Sequence, residues 1–256
     1  MTAIRAGLCS VTFRALSPER IIDLAADAGL ESIEWGGDGH VRPGEPIRAE
    51  QVAKATADAG LVVASYGSYF RARAGEDLSP VLDSAEALGT DRVRIWAGTR
   101  GSTEATPDER AATIERLRSA ASEAQQRSIG LALEFHSGTL ADNASTTSSV
   151  LREVDSTALT TYWQPTVAAS DDIALAEYEA IAPDVSALHV FSWWPETQRL
   201  RLHERGELWR RVFAAAAASP APPRDALLEF VPNDDPALLA PEAATLRDSI
   251  RSSAAR

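Results

Sequence analysis

Short apolar or β-branched runs recur along the chain, each followed by a stretch whose apolar residues repeat at helical spacing. The runs fall near residues 4–12, 32–36, 61–67, 91–97, 129–135, 159–165, 185–192 and 225–231, and predict strands. Their starts lie 26 to 40 residues apart, the length of one strand–helix unit. Helix boundary signals occupy the intervals. Ser17-Pro18-Glu19 supplies an N-cap, a proline at the first helical position and an acid in the first turn. Ile21, Leu24, Ala25 and Ala28 then form a stripe that Gly29 closes. "TPDE" at 106–109 reads as a capping box, and Gly60, Gly89 and Gly130 stand where a helix hands over to the next strand.

Strict alternation of strand and helix predicts an α/β fold with a parallel sheet, because parallel strands need crossover connections. Eight units in 256 residues fit a single (β/α)8 barrel, eight-stranded and closed, with 1–256 as one domain. An open doubly wound sheet is the competing fold. It normally carries a glycine-rich phosphate loop after an early strand, and "SVTFRALSPER" has no glycine.

Composition narrows the function classes. A net charge of −12 speaks against a nucleic-acid partner, which needs a cationic surface. The lone cysteine, Cys9, excludes a disulfide framework and fits a reducing compartment. "MTAIRAGLCSVTF" reads as a first strand rather than a signal peptide, and no run approaches the roughly 18 apolar residues of a membrane helix. The expectation is a soluble cytoplasmic protein with no membrane partner, its oligomeric state left open.

In such a barrel the chemistry sits at the C-terminal strand ends. Trp35, Trp96, Trp163, Trp193 and Trp194 fall at or just past strand ends, as do Tyr66 and Tyr69. Together they predict a pocket with flat apolar walls and polar tips, suited to the C–H faces of a sugar. Glu134, His189 and Glu229 end strands five, seven and eight, and Gln164 holds the matching place on strand six. In "LALEFHSG" the alternation of a strand turns Glu134 and His136 to the same side. Two carboxylates, an imidazole and an amide oxygen suit one divalent metal ion, Mn²⁺ or Mg²⁺ first, Co²⁺ or Zn²⁺ as alternatives.

The remaining polar residues have simpler readings. Glu34 and Arg94 are expected to pair inside the barrel. Asp38 and His40 fit the pocket rim, "RLHERGELW" at 201–209 a surface turn leading into a helix, and "NDD" at 233–235 a turn with a helix cap. Cys9 reads as packing.

The stretches "LALEFH", "ALHVFSW" and "LLEFVP", with "GLCSVTF" and "LAADAGLESIEWGGD" upstream, resemble the sugar phosphate isomerase/epimerase group of xylose isomerase-like TIM barrels, which includes the ketose 3-epimerases. In that group a Glu, an Asp, a His and a second Glu bind one divalent metal at the ends of strands five to eight. The resemblance implies Glu134, Gln164, His189 and Glu229 as ligands, with Glu134 and Glu229 as the catalytic acid/base pair. It implies a small-molecule sugar substrate and proton removal beside a carbonyl, through an enediolate that the metal stabilises. Two positions depart from the pattern. Gln164 stands where the group has Asp, and Val167 where it commonly has a second His. Metal affinity is therefore expected to be weaker, with His136, His40 or a tryptophan replacing the missing contact. Tyr66, Trp96, Trp163 and Trp193 complete the expected substrate-binding set.

The absence of an Arg/Lys cluster with a glycine-rich loop after strands seven and eight favours a neutral sugar. The rival readings are a metal-dependent lyase acting on a keto-sugar or glycoside, and a metal-free barrel with a binding role. An AP endonuclease holds several zinc ions, and four histidines at a net charge of −12 argue against it.

Overall fold

The structure is a computed structural model and describes residues 4–254, so the extreme ends of the 1–256 span lie outside the described residues. The barrel strands are β1 (Arg5–Cys9), β2 (Ser32–Gly36), β3 (Val62–Gly67), β4 (Arg92–Ile95), β5 (Gly130–Leu133), β6 (Leu159–Trp163), β7 (Val185–Val190) and β10 (Asp225–Leu228). They close in the order β1-β10-β7-β6-β5-β4-β3-β2, every pair parallel. Helices α1 (Pro18–Asp27), α2 (Pro46–Asp58), α3 (Ser79–Leu88), α4 (Pro107–Gln126), α5 (Ala144–Val154), α6 (Asp171–Ile181), α7 (Gly206–Ala218) and α8 (Leu239–Ala254) form the outer ring. None is long and apolar enough to cross a membrane.

The boundary signals act as their chemistry dictates. Ser17 accepts the Arg20 N–H, and Thr106 with Glu109 forms the reciprocal capping box of α4. Gly89 ends α3 at φ 70°, a left-handed value that costs glycine little. The first strand ends sooner than its apolar run. Ser10–Phe13 forms a 3₁₀ turn that carries the chain over the barrel mouth towards α1. The run after β7 also breaks, into a short antiparallel hairpin of β8 (Ser192–Trp193) and β9 (Arg199–Leu200).

Period-two alternation splits each strand between two environments. Outward residues meet the helices: Trp163 packs edge-on against Tyr178 of α6 and Trp209 of α7, at 5.2 and 6.0 Å. Inward residues fill the barrel in levels. At the N-terminal end Asp225, fully buried, accepts from Arg5, Ser32 and Arg92. Above it lies an apolar cluster of Ala64, Ala132, Tyr162, Ala187 and Leu227, with Cys9 packed at its upper edge beside Glu34. The C-terminal level is polar, and the chemistry is there.

Candidate active site

Glu34, Arg94, Glu134, His189 and Glu229 point inward at the C-terminal end of the barrel, and all are buried. The backbone ladder holds the two glutamates that follow strands β5 and β10: Glu134 N–H donates to Ile95 O (2.8 Å) and Glu229 N–H to Val190 O (3.0 Å). Arg94 lies between two acids, donating Nε to Glu34 Oε1 (3.1 Å) and Nη1 to Glu134 Oε2. Ser65 Oγ donates to the other oxygen of Glu34 at 2.7 Å. Gly67 leaves space for this pair, since a Cβ there would stand 2.7 Å from Glu34 Oε1. The expected Glu34–Arg94 pairing is present, and Arg94 also reaches Glu134 and lines the cavity above.

His189 is the hub. Its Nδ1 lies 3.0 Å from Gln164 Oε1, 3.4 Å from Glu229 Oε2 and 4.0 Å from Glu134 Oε1. Its Nε2 lies 3.4 Å from Glu34 Oε1, and the Tyr162 ring meets the imidazole edge-on at 5.1 Å. The four residues expected to hold a metal are thus brought together from four adjacent strands.

Charge decides what this cluster does. Three carboxylates face one guanidinium, so the group lacks positive charge. Burial pushes Glu34 up, but Arg94 and His189 outweigh it and hold its carboxyl well below the usual range. Glu229 has no guanidinium of its own. Burial, reinforced by the Glu134 charge, pushes its carboxyl up to about 7 against the opposing pull of His189. For His189, burial disfavours the charged ring, and Glu229, Glu34 and Glu134 outweigh it, raising the imidazole above its ordinary value. Both shifts retain protons in a site short of cations.

A divalent ion fits that deficit. Glu134, His189 and Glu229 each present a ligand atom, all within 4.8 Å of one another, and Gln164 adds an uncharged oxygen beside them. Glu34 Oε1 lies on the side of the opposite ring nitrogen, Nε2, so Nδ1 is the atom turned towards Gln164, Glu229 and Glu134.

Over this floor opens a cavity of about 370 Å³. Tyr69, Trp96 and His136 form one wall, Phe191, Trp193 and Phe230 the other, with Arg14, Asp142 and Val167 also lining it. Trp96 and His136 stack at 4.4 Å, and Trp193 lies 4.9 Å from Phe191 and 5.3 Å from Phe230. His136, Trp96 and Trp193 therefore stand where the sequence places them.

His40, Tyr66 and Trp163 do not reach the cavity. Ser65 and Tyr162 take the inward positions, so Tyr66 and Trp163 turn outward. Tyr66 donates its hydroxyl to Val41 O at 2.7 Å, and Trp163 is in the helix layer. His40 is buried behind β2, its Nδ1 3.0 Å from Ser10 Oγ and its ring 5.9 Å from Trp35. Asp38 does not line the cavity but holds two residues that do, accepting from Arg14 (2.7 Å) and Tyr69 (3.0 Å).

Other cavity residues escape sequence reading. Phe230 follows an inward Glu229 and by alternation belongs outside, but the ladder has ended and φ of 59° swings its ring over the mouth. The 201–209 turn is also more than surface. Arg205 is buried, bonded to Asp171, Ala169 O and Trp193 O, and ties the hairpin to α6.

Comparison with known proteins agrees with this geometry. A family model described as a xylose isomerase-like TIM barrel matches residues 22–249. A 3-dehydroshikimate dehydratase of Bacillus anthracis is 27% identical over 159 residues, 58% of this chain and 57% of that enzyme. The chain's match thus spans little over half the length of this curated relative. The crystal structure of a probable 3-DHS dehydratase involved in petrobactin synthesis in Bacillus anthracis superposes with a TM-score of 0.78, at 20% identity over 95% of this chain and 99% of that one. A xylose isomerase-like TIM barrel protein of Mycobacterium smegmatis in complex with magnesium gives 0.70, at 14% identity over 99% and 98%. A D-psicose 3-epimerase of Clostridium cellulolyticum gives 0.71, at 13% identity over 98% and 99%. At these identities the structural likenesses establish the fold.

Proposed function

The chain belongs to the xylose isomerase-like TIM barrel family, and from that premise we propose that it is a cytoplasmic sugar isomerase or epimerase, removing a proton from the carbon beside a carbonyl and returning it. One observation carries the reading. Glu134 and Glu229, buried carboxylates from different strands, converge on the same nitrogen of His189 beneath a cavity with aromatic walls.

Glu134, Gln164, His189 and Glu229 would hold a divalent ion, Mn²⁺ or Mg²⁺, which would supply Lewis-acid stabilisation of the negative charge that develops on the carbonyl oxygen. The chain's own groups handle the proton. Arg94 engages Glu134 Oε2 and leaves Oε1 as the acceptor. Glu229, the second buried carboxylate beside His189, is placed to return a proton to the carbon. Trp96, Trp193, Phe191 and Phe230 exclude water, so the carbanion is reprotonated by a side chain rather than by solvent.

A second reading, elimination, is favoured by the dehydratase relative. Its first step is the same proton transfer to Glu134, after which Glu229 protonates the departing hydroxyl as water. Incubation of ketoses and hydroxylated keto-acids with the Mn²⁺-supplemented protein in D₂O separates the readings. Deuterium in an isomer of otherwise unchanged composition supports isomerisation or epimerisation. A product lighter by one water supports elimination. No deuterium entry and no product from the whole panel contradicts both.

A further inference from the structure

We propose that Cys9, Glu34 and the Nε2 atom of His189 form a second, thiophilic metal site that takes Zn²⁺ and excludes an ion from Nδ1. The inference goes beyond the reading above: it shares His189 with that ion site but does not depend on the reaction.

The three residues come from β1, β2 and β7, and all are buried. The parallel register of β1 and β2 sets Cys9 beside Glu34. The Cys9 sulfur, a Glu34 carboxylate oxygen and a His189 ring nitrogen lie within 4.8 Å of one another. Ser65 Oγ holds Glu34 Oε2 at 2.7 Å, and Oε1 is left facing Nε2 at 3.4 Å. Two ligand atoms about 2.0–2.2 Å from a tetrahedral zinc ion stand about 3.4 Å from each other, so this pair already has the separation zinc requires.

Nε2 is the atom that points to a ligand. It is fully buried, and among the described residues it has no hydrogen-bond partner. Nδ1 has Gln164 Oε1 at 3.0 Å to accept the ring proton, which leaves the lone pair of a neutral imidazole on Nε2. A buried lone pair turned towards a carboxylate oxygen and a sulfur is costly until a cation joins them.

The two faces of the ring differ in donor chemistry. Nδ1 looks towards two carboxylates and an amide oxygen, a hard set suited to Mn²⁺ or Mg²⁺. Nε2 looks towards a thiol and a carboxylate, a set that selects zinc. Arg94 Nε shares Glu34 Oε1 at 3.1 Å, but that oxygen has a lone pair for each partner. Cys9 binds as a thiolate, giving its proton to solvent, and the added negative charge offsets the guanidinium. Three protein ligands leave one position on the ion for a water. Because a neutral imidazole has one lone pair, an ion on Nε2 keeps the proton on Nδ1, and zinc displaces Mn²⁺ rather than joining it.

Cys9 is the only thiol in the chain, so Cd²⁺ serves as the probe through its thiolate charge-transfer absorption in the ultraviolet. Metal-free full-length protein titrated with Cd²⁺ should develop this band and saturate it at one ion per chain. In a second titration, Zn²⁺ is added to Mn²⁺-loaded protein and free Mn²⁺ is followed by electron paramagnetic resonance. Cys9→Ala should keep its Mn²⁺ affinity and need about 10- to 100-fold more Zn²⁺ for the same release, at least the penalty of losing an outer-shell partner. Wild-type protein with no charge-transfer band at saturating Cd²⁺ overturns the site. Equal release of Mn²⁺ from wild type and a folded Cys9→Ala variant does so too. A band that saturates while all Mn²⁺ stays bound overturns the exclusion. Protein that holds no Mn²⁺ refutes the ion on Nδ1, and the Cd²⁺ band then decides the thiolate site alone.

Discussion

Gln164 Oε1 and His189 Nδ1 stand 3.0 Å apart, an amide oxygen facing a ring nitrogen across the centre of the acidic cluster. Two lone pairs at that distance repel unless a proton or a cation joins them. Without an ion the proton sits on Nδ1 and the amide oxygen accepts it. With an ion, the proton leaves and both atoms become ligands.

This relationship gives Gln164 a measurable consequence. The amide contributes an oxygen but no charge, so Gln164→Asp should raise affinity for Mn²⁺ by about tenfold or more, because ligand charge tunes binding of hard cations. Calorimetric titration of both proteins checks it. Unchanged affinity means that position 164 does not ligate.

The two glutamates should be separately indispensable. Glu134→Gln and Glu229→Gln each preserve shape and remove the acid/base group, so each should lower the turnover number by about 10²- to 10⁴-fold. Solvent deuterium exchange should fall with it. A variant that retains full exchange is not part of the proton pathway.

Stability of the metal-free protein should decline as pH rises from 5 to 8. Glu229 is pushed up to about 7, so the folded state keeps a proton that the unfolded chain loses near its ordinary value. That stabilisation is complete below the unfolded value and disappears as pH passes 7, and the raised His189 acts in the same direction. The depressed Glu34 has the opposite sign and acts only in acid. Saturating Mn²⁺ should remove the decline, since the ion takes the place of the protons. Thermal melts with EDTA and with Mn²⁺ at both pH values test this, and parallel curves contradict it.

Arg94 should matter more to stability than any surface cation. Arg94→Met leaves Glu34 and Glu134 buried without their counter-charge, a change that costs about 3–5 kcal/mol. Lys54→Met removes an ion pair with Asp58 in which both side chains are more than half exposed, and should cost about 0.5 kcal/mol or less. Urea unfolding of the two variants compares them directly.

The contrast between residues found and residues missed is physical. Glu134, His189 and Glu229 were legible because each interrupts an apolar strand at the same depth, and the barrel follows from strand–helix alternation alone. Tyr66 and Trp163 were misplaced because an aromatic at a strand end belongs to either face, and only the neighbours Ser65 and Tyr162 decide which. Phe230 lies beyond the last ladder bonds, where strand periodicity no longer applies. The loops that make the walls are positioned by tertiary contacts such as Gly98 N–H to Arg71 O, which no local pattern encodes.

Metal content is the most direct test of the central claim, that the buried acidic cluster is compensated by a divalent cation. Protein purified without chelator and equilibrated with Mn²⁺ should retain one ion per chain by mass spectrometric metal analysis, and His189→Ala should lose it while remaining folded. Wild-type protein that retains no ion, or a His189→Ala variant that retains it equally, contradicts the account.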